Sequence, residues 1–216
     1  MTTGPASSRV RLGPAGAGGF TLVELMIGAA LSAALMMAVI SSYVYLGRGL
    51  ARLANQQTLE TEARRTLGYF TQDVQSASGL TDTGNLSASR VSLVVPAAGG
   101  NNTVTYYYNN TSSDAPVTIN GTSVTMTANA LTRCVYNGST VTSQLLLRNI
   151  TSGGLALKYY DAAGRPYASY VNYLPGITQL ALQFSTQVGN SSNGTQTLVY
   201  PVATGRLALR NENFLQ

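Results

Sequence analysis

The sequence predicts an α+β protein, in which a long N-terminal helix precedes a C-terminal domain built on an antiparallel β-sheet. Residues 20–46 form an apolar run whose only charge is Glu24, and no proline occurs between Pro14 and Pro96. Beyond residue 79, helix formers give way to Val, Thr, Tyr, Asn, Ser and Gly in short runs separated by turn signals. The first pattern is typical of a long helix and the second of antiparallel strands.

Composition narrows the chemistry that this chain can perform. Its 216 residues include no His and one Cys, and only 10% are charged. The absence of His excludes His-dependent acid–base catalysis, and one Cys excludes an intrachain disulfide and a Cys-rich metal site. Asp82, Asp114 and Asp161 are isolated in the sequence, so we expect no metal cluster and no cofactor. The formal net charge of +5 by itself indicates neither DNA nor a membrane as a partner. These features favour a protein that is not an enzyme.

Residues 1–19 are interpreted as a leader peptide. Their sequence, MTTGPASSRVRLGPAGAGG, is small, rich in Gly and Pro, and carries only the basic residues Arg9 and Arg11. Such a segment cannot build a core, so it does not contribute to the predicted fold.

Residues 20–46 are predicted to form a transmembrane helix. A helix of this length spans about 40 Å, which exceeds the hydrocarbon core of about 30 Å. A secretory signal peptide is the alternative, with Ser32-Ala33-Ala34 as a weak cleavage site. Because the apolar run continues twelve residues beyond that site, the pattern favours a retained anchor.

Residues 47–78 are predicted to continue the helix, to about residue 77, as an amphipathic half that packs on the sheet. Two ion pairs on its surface are expected, Glu60 with Arg64 and Glu62 with Arg65. The apolar residues of the predicted stripe are Leu46, Leu50, Leu53, Leu67, Phe70, Val74 and Ala77.

Residues 79–216 are predicted to form the β-rich domain, as a sheet of six to eight strands. Asn120-Gly121 and Asn137-Gly138 are dipeptides that close tight hairpins, and Pro201 predicts an edge strand or a bulge. The predicted strand runs are 90–95, 103–108, 123–127, 131–136, 144–150, 155–160, 177–188 and 196–210.

The start of the apolar run carries the strongest functional signal. The sequence Gly18-Gly19-Phe20-Thr21-Leu22-Val23-Glu24 places a glycine at the end of a basic leader, then Phe, then a Glu inside the apolar helix. This stretch resembles the processing site of type IV prepilins and type II secretion pseudopilins. The resemblance implies a pilin-like fold, in which the apolar half of the helix protrudes and the amphipathic half packs on the β-domain.

The resemblance also implies a processing pathway and a set of partners. A prepilin peptidase would cut between Gly19 and Phe20 and then methylate the new α-amine of Phe20. Before assembly, the chain would sit in the bacterial inner membrane as a single-pass protein with its C-terminal domain outside the cytoplasm. It would then enter a pilus or pseudopilus through contacts with other pilin or pseudopilin subunits, in which Glu24 meets the Phe20 amino terminus of a neighbour.

Two interpretations of Glu24 follow from the residues. A carboxylate inside an apolar helix demands a partner or a proton, and the α-amine that cleavage frees is cationic or nearly so at neutral pH. Thr21-Leu22-Val23-Glu24 also matches a capping box, with Thr21 as N-cap. The leader favours the assembly role, and both interpretations can hold at different stages.

Within the family, the chain most resembles PilW-type minor pilins and J-type pseudopilins, which are thought to prime assembly or cap the filament. The resemblance uses the segments 62–67, 73–77, 131–133, 155–161 and 206–211. The lack of a Cys pair disfavours a major pilin, though it leaves that alternative open. Another alternative is a membrane-anchored or filament-displayed β-domain that binds a ligand or acts as an adhesin.

The remaining candidate functional residues carry weaker signals. Cys134 is interpreted as a small buried residue, because a nucleophile would need a base. The tyrosines of 106–108 and 159–160 are expected to pack across strands. A nucleic-acid partner is not favoured but stays open, because four scattered cations would have to form one basic face: Arg133, Arg148, Lys158 and Arg165.

Overall fold

The computed structural model describes residues 19–81, 86–167, 176–188 and 198–210. These residues form an α+β arrangement of one helix, α1 (Leu22–Ser76), followed by antiparallel strands. The strands are β1 (Gly79–Leu80), β2 (Arg90–Ala97), β3 (Gly100–Asn109), β4 (Ala115–Ile119), β5 (Thr122–Met126), β6 (Ala130–Tyr136), β7 (Val141–Leu147), β8 (Ile150–Tyr160), β9 (Gln179–Val188), β10 (Leu198–Ala203) and β11 (Leu207–Ala208). The predicted long N-terminal helix and C-terminal β-domain are therefore confirmed.

The chain divides into two compact units between Ala51 and Arg52. In the first unit, every described residue is exposed, and the first half of α1 is long and apolar enough to cross a membrane. The predicted division of the helix at residue 46 rests on hydropathy and stays a prediction. The leader, 1–19, lies outside the described residues except for Gly19.

In the second unit, α1 packs through a stripe that begins farther along the helix than the sequence predicts. The buried apolar positions Leu59, Ala63, Phe70 and Val74 recur at helical spacing. By contrast, Leu46, Leu50 and Leu53 are exposed, so the packed part of the helix begins at Leu59. Periodicity identifies the apolar face of a helix but not how far along that face other elements cover it.

One of the two predicted ion pairs on α1 is present. Arg64 Nη2 lies 2.6 Å from Glu60 Oε1. The Glu62–Arg65 pair was expected but does not form, because Arg65 donates from Nη2 to the carbonyl oxygen of Leu145 at 3.0 Å. This contact links the helix to β7.

A five-stranded sheet in the order β1-β2-β3-β6-β7 forms the surface on which α1 packs. The Phe70 and Tyr106 rings meet edge to face, with centroids 5.2 Å apart. Thr66 donates its hydroxyl to the Glu62 carbonyl at 2.8 Å, which satisfies a buried polar group within the helix.

The other β-structure forms a second sheet, whereas the sequence suggested a single one. β8 pairs with one side of β9, while β10 and β11 pair with the other side at its two ends. Both sheets contribute to one hydrophobic core. Tyr159 joins them, because its hydroxyl donates toward the carbonyl oxygens of Ser87 and Arg90, at 2.9 and 2.8 Å. Pro201 lies in β10 at the sheet edge, as predicted.

The predicted strand runs cover β5 of the short hairpin β4–β5 but not β4. Asn120 and Gly121 have φ angles of 46° and 80°, so the predicted tight turn is confirmed. The predicted two-residue turn at Asn137-Gly138 is wrong. There, Asn137 Oδ1 accepts the backbone N–H groups of Ser139 and Thr140, and four residues separate β6 from β7.

Candidate assembly site at the start of the helix

Glu24 and Thr21 form a reciprocal capping box at the first turn of α1. The backbone N–H and the hydroxyl of Thr21 donate to Glu24 Oε2, at 3.0 and 3.1 Å. In return, the Glu24 N–H donates to Thr21 Oγ1 at 3.2 Å. These bonds satisfy N–H groups that have no partner inside a helix and hold a carboxylate at the positive end of the helix dipole. The local interpretation of Glu24 is therefore confirmed as geometry.

The capping box leaves part of the carboxylate available. Glu24 is exposed, and among the described residues its Oε1 accepts no hydrogen bond. An ionised carboxylate only accepts hydrogen bonds, so its vacant oxygen can accept one from an ammonium group. The two interpretations of Glu24 are thus compatible, since one oxygen caps the helix and the other can receive a partner.

Gly19 and Phe20 precede the helix and are both exposed. Phe20 is 86% exposed. A Cβ added at Gly19 would have no heavy atom of the described residues within 4 Å, so that part of the chain does not require a glycine there.

An extended apolar surface surrounds Glu24 and continues along the helix beyond it. The exposed large apolar residues of this surface are Leu22, Val23, Leu25, Met26, Ile27, Leu31, Leu35, Met36, Met37, Val39, Ile40, Tyr43, Val44, Tyr45, Leu46, Leu50 and Leu53. Soluble monomers rarely expose an apolar patch of this extent, which therefore marks a membrane or protein contact.

The structure adds a buried polar network that the sequence did not reveal. Asp73 on α1 accepts hydrogen bonds from Arg133 Nε at 2.6 Å, Arg133 Nη2 at 2.9 Å and the Tyr106 hydroxyl at 2.6 Å. The Arg133 guanidinium also lies 5.3 Å from the centre of the Tyr69 ring. The hydrogen bonds to Asp73 raise the pKa of Arg133. Burial is the main cause that raises the pKa of Tyr106, and the negative charge of Asp73 raises it further. The network fixes α1 to β3 and β6.

This network changes the interpretation of the basic residues. Arg133 points toward the helix and is neutralised by Asp73, so it cannot contribute to the nucleic-acid face that four cations were expected to form. A sequence signal did exist: Asp73 lies between Phe70 and Val74 on the apolar face of α1, where a carboxylate needs a cation.

The structure explains the other candidate residues by packing and by hydrogen bonds to the backbone. Cys134 is fully buried beside Ile119 and Met126, as predicted, and burial raises the pKa of its thiol to about 11. Asp114 and Asp161 accept backbone N–H groups in loops. In the described parts of the chain, no group of three His, Cys, Asp or Glu residues could hold a metal ion. Asp82 lies outside those parts.

The tyrosine clusters mainly serve packing. Tyr106, Tyr108 and Tyr159 are buried in the core, as predicted, while Tyr107 and Tyr160 are half-buried.

Comparisons of the chain with protein-family models, with curated proteins and with solved structures found no match. Fold and site together define an α+β protein whose exposed apolar helix begins with a capped carboxylate. The resemblance to pilins rests on the leader and helix motif and stays a prediction.

Proposed function

We propose that this chain is a non-enzymatic structural subunit, a minor pilin or pseudopilin, which assembles through its N-terminal helix to prime or cap a filament. One observation carries the proposal. The first half of α1 is apolar and wholly exposed, and its only carboxylate, Glu24, lies in the first turn.

The hydrophobic effect supports an apolar environment for this helix. Exposed apolar surface costs about 25 cal/mol per Å² relative to burial. A bilayer removes this cost before assembly, and the apolar helices of neighbouring subunits remove it afterwards. Because both surroundings are apolar, the transfer between them changes the free energy of most side chains little. Glu24 is the exception, since a carboxylate in hydrocarbon is expensive.

Glu24 therefore decides the position of the helix in this proposal. Prepilin peptidase cleaves between Gly19 and Phe20 and methylates the new α-amine of Phe20. In the filament, the vacant Oε1 of Glu24 accepts that amine from a neighbouring subunit, while Oε2 continues to cap the helix. The pairing neutralises two charges in an apolar environment and fixes the axial offset between subunits. Contacts of this open-ended kind extend into a fibre.

Two variants of Glu24 separate the assembly role from helix capping. Glu24→Gln preserves the capping box, because Gln serves at this position, but it removes the charge. Thr21→Ala weakens the cap and keeps the charge. Both variants are expected to be processed normally, as shown by intact mass. Glu24→Gln should be depleted from the sheared filament fraction, whereas Thr21→Ala should incorporate. Normal incorporation of Glu24→Gln would refute the role assigned to this carboxylate.

Gly19→Val tests the processing step. Since a Cβ added at position 19 would meet none of the described residues, the variant should fold normally. In this proposal it retains its leader, because the peptidase requires a small residue before the cut. Mass spectrometry of the membrane fraction would detect the uncleaved chain, and a wild-type product starting at methyl-Phe20 is the matching control. Removal of the leader at the usual bond in Gly19→Val would contradict the proposal.

A further inference from the structure

A cleft on the second sheet combines positive charge with flat apolar side chains. It has a volume of about 390 Å³, which lies in the range of small-ligand sites. It lies where the loop after β8 folds back on that strand, since the Tyr167 N–H donates to the Tyr159 carbonyl at 3.0 Å. The lining residues are Lys158, Tyr159, Tyr160, Pro166, Tyr167 and Arg206.

Strand register brings the two cations to the same outer face. Lys158 on β8 pairs with Ala181 on β9, and Leu207 on β11 pairs with Leu180. Arg206, which directly precedes Leu207, therefore continues the row of Lys158 and Ala181. Paired residues in a sheet share a face, so the side chains of Lys158 and Arg206 lie on either side of the small side chain of Ala181.

The Arg206 guanidinium is held in place by an aromatic ring, and no described carboxylate pairs with it. It lies over the Tyr160 ring, 4.5 Å from the centroid. It also approaches Gly164, where φ is 75° and an added Cβ would come within 2.5 Å of Arg206 Nη1. Asp161, the acidic residue of the adjoining turn, accepts the Arg165 N–H at 2.7 Å. Among the described residues, neither Lys158 nor Arg206 forms an ion pair.

A second cleft lies farther along the same outer face of the sheet. The next row across the strands is Ala156, Gln183 and Ala203, and this row lines a second cleft of about 360 Å³. Its small side chains leave a shallow floor, and Gln183 supplies an amide with both donors and an acceptor. Two clefts on neighbouring rows of one face suit an elongated ligand rather than a single ion.

We propose that this surface binds an acidic oligosaccharide, with a carboxylate on Arg206 and Lys158 and the attached ring against Pro166 and Tyr167, while Tyr160 holds the Arg206 guanidinium in place. A stacked guanidinium offers two parallel donors that match a carboxylate, and its orientation is fixed before binding. Flat apolar side chains receive the C–H face of a sugar ring, which distinguishes this ligand from a plain anion. The inference does not depend on filament assembly.

Calorimetric titration of the full chain in detergent micelles with a galacturonic acid oligomer tests the inference. The oligomer is expected to bind, and a neutral galactose oligomer of equal length is not. Arg206→Gln and Lys158→Gln should each weaken binding by about tenfold or more, and Tyr160→Leu should weaken it as well. The matched control is Arg148→Gln, which removes the same charge from an exposed position outside the cleft and should leave affinity within about twofold.

Several results would overturn the inference. One is the absence of binding, and another is equal weakening by Arg206→Gln and Arg148→Gln. A third is equal affinity for the neutral oligomer. Equally tight binding of polyphosphate or of an oligonucleotide through Arg206 would identify a general anion site and refute the saccharide. Because Lys158 is exposed, Lys158→Gln keeps the test decisive even if Arg206→Gln fails to fold.

Discussion

Replacing Arg133 with leucine should destabilise the β-domain strongly. The side chains of Asp73 and Arg133 are 8% and 18% exposed, so the variant leaves a buried carboxylate whose one remaining donor among the described residues is the Tyr106 hydroxyl. Breaking a buried ion pair in this way costs about 3–5 kcal/mol. A domain of this size is stable by about 5–15 kcal/mol, so the loss is a large fraction of the total.

Urea unfolding of the full chain in detergent micelles, followed by tyrosine fluorescence, measures this loss. The first control is Arg64→Leu, which breaks the exposed Glu60 pair and should cost less than about 1 kcal/mol. The second replaces the whole network by apolar groups, as Asp73→Leu, Arg133→Leu and Tyr106→Phe together. Removing every member leaves no unpaired charge, so this triple variant should recover most of the stability that Arg133→Leu loses.

Two results would refute the reasoning. If Arg133→Leu lowers the unfolding free energy no more than Arg64→Leu, the pair contributes little beyond a surface contact. If the triple variant is as unstable as Arg133→Leu alone, then lost packing rather than an unpaired carboxylate explains the effect.

Three further predictions follow from named contacts. The pKa of Cys134 rises from 9.0 to about 11 in the fold, so this thiol's stability contribution is complete below pH 9 and is lost as pH rises toward 11. Urea titrations at several pH values should show a shallower alkaline decline for Cys134→Ala than for wild type. Gly121→Ala should destabilise by about 1 kcal/mol because φ is 80° there, whereas Gly68→Ala, on the exposed face of α1, should stabilise by a similar amount; urea midpoints with opposite shifts would verify both. Thr21→Ala should cost about 1 kcal/mol at the start of α1 and accelerate amide exchange in that turn, and unchanged exchange would argue against the capping box.

Local signals predicted the elements well where a single residue type dictates the backbone. Asn120 and Gly121 tolerate positive φ, so they closed the hairpin that the sequence indicated. Asn137 failed as a turn signal, because its side chain caps two N–H groups of a longer loop. The pair Gly153-Gly154 is a turn signal by residue type, yet it lies inside β8, where the pairing register with β9 shifts. A glycine therefore indicates an unusual backbone conformation, but it does not specify whether that conformation is a turn or an irregularity within a strand.

The candidate sites also divide into a local one that the sequence could predict and a long-range one that it could not. The capping box involves residues three apart on one helix, so its geometry could be predicted from sequence alone. The Asp73–Arg133 pair joins residues sixty positions apart. No local pattern states which strand residue faces which helix residue, so a buried aspartate indicated only that some cation was needed.

The sequence by itself determined the long helix, its apolar first half and the carboxylate at its start, because these depend on covalent order and on the interaction of neighbouring residues with solvent. Tertiary structure alone decided that the strands divide into two main sheets, that packing on α1 begins at Leu59, and that Lys158 and Arg206 share a face. These features depend on strand register and on contacts between distant segments. Such contacts form where the whole chain buries the most apolar surface while satisfying its polar groups.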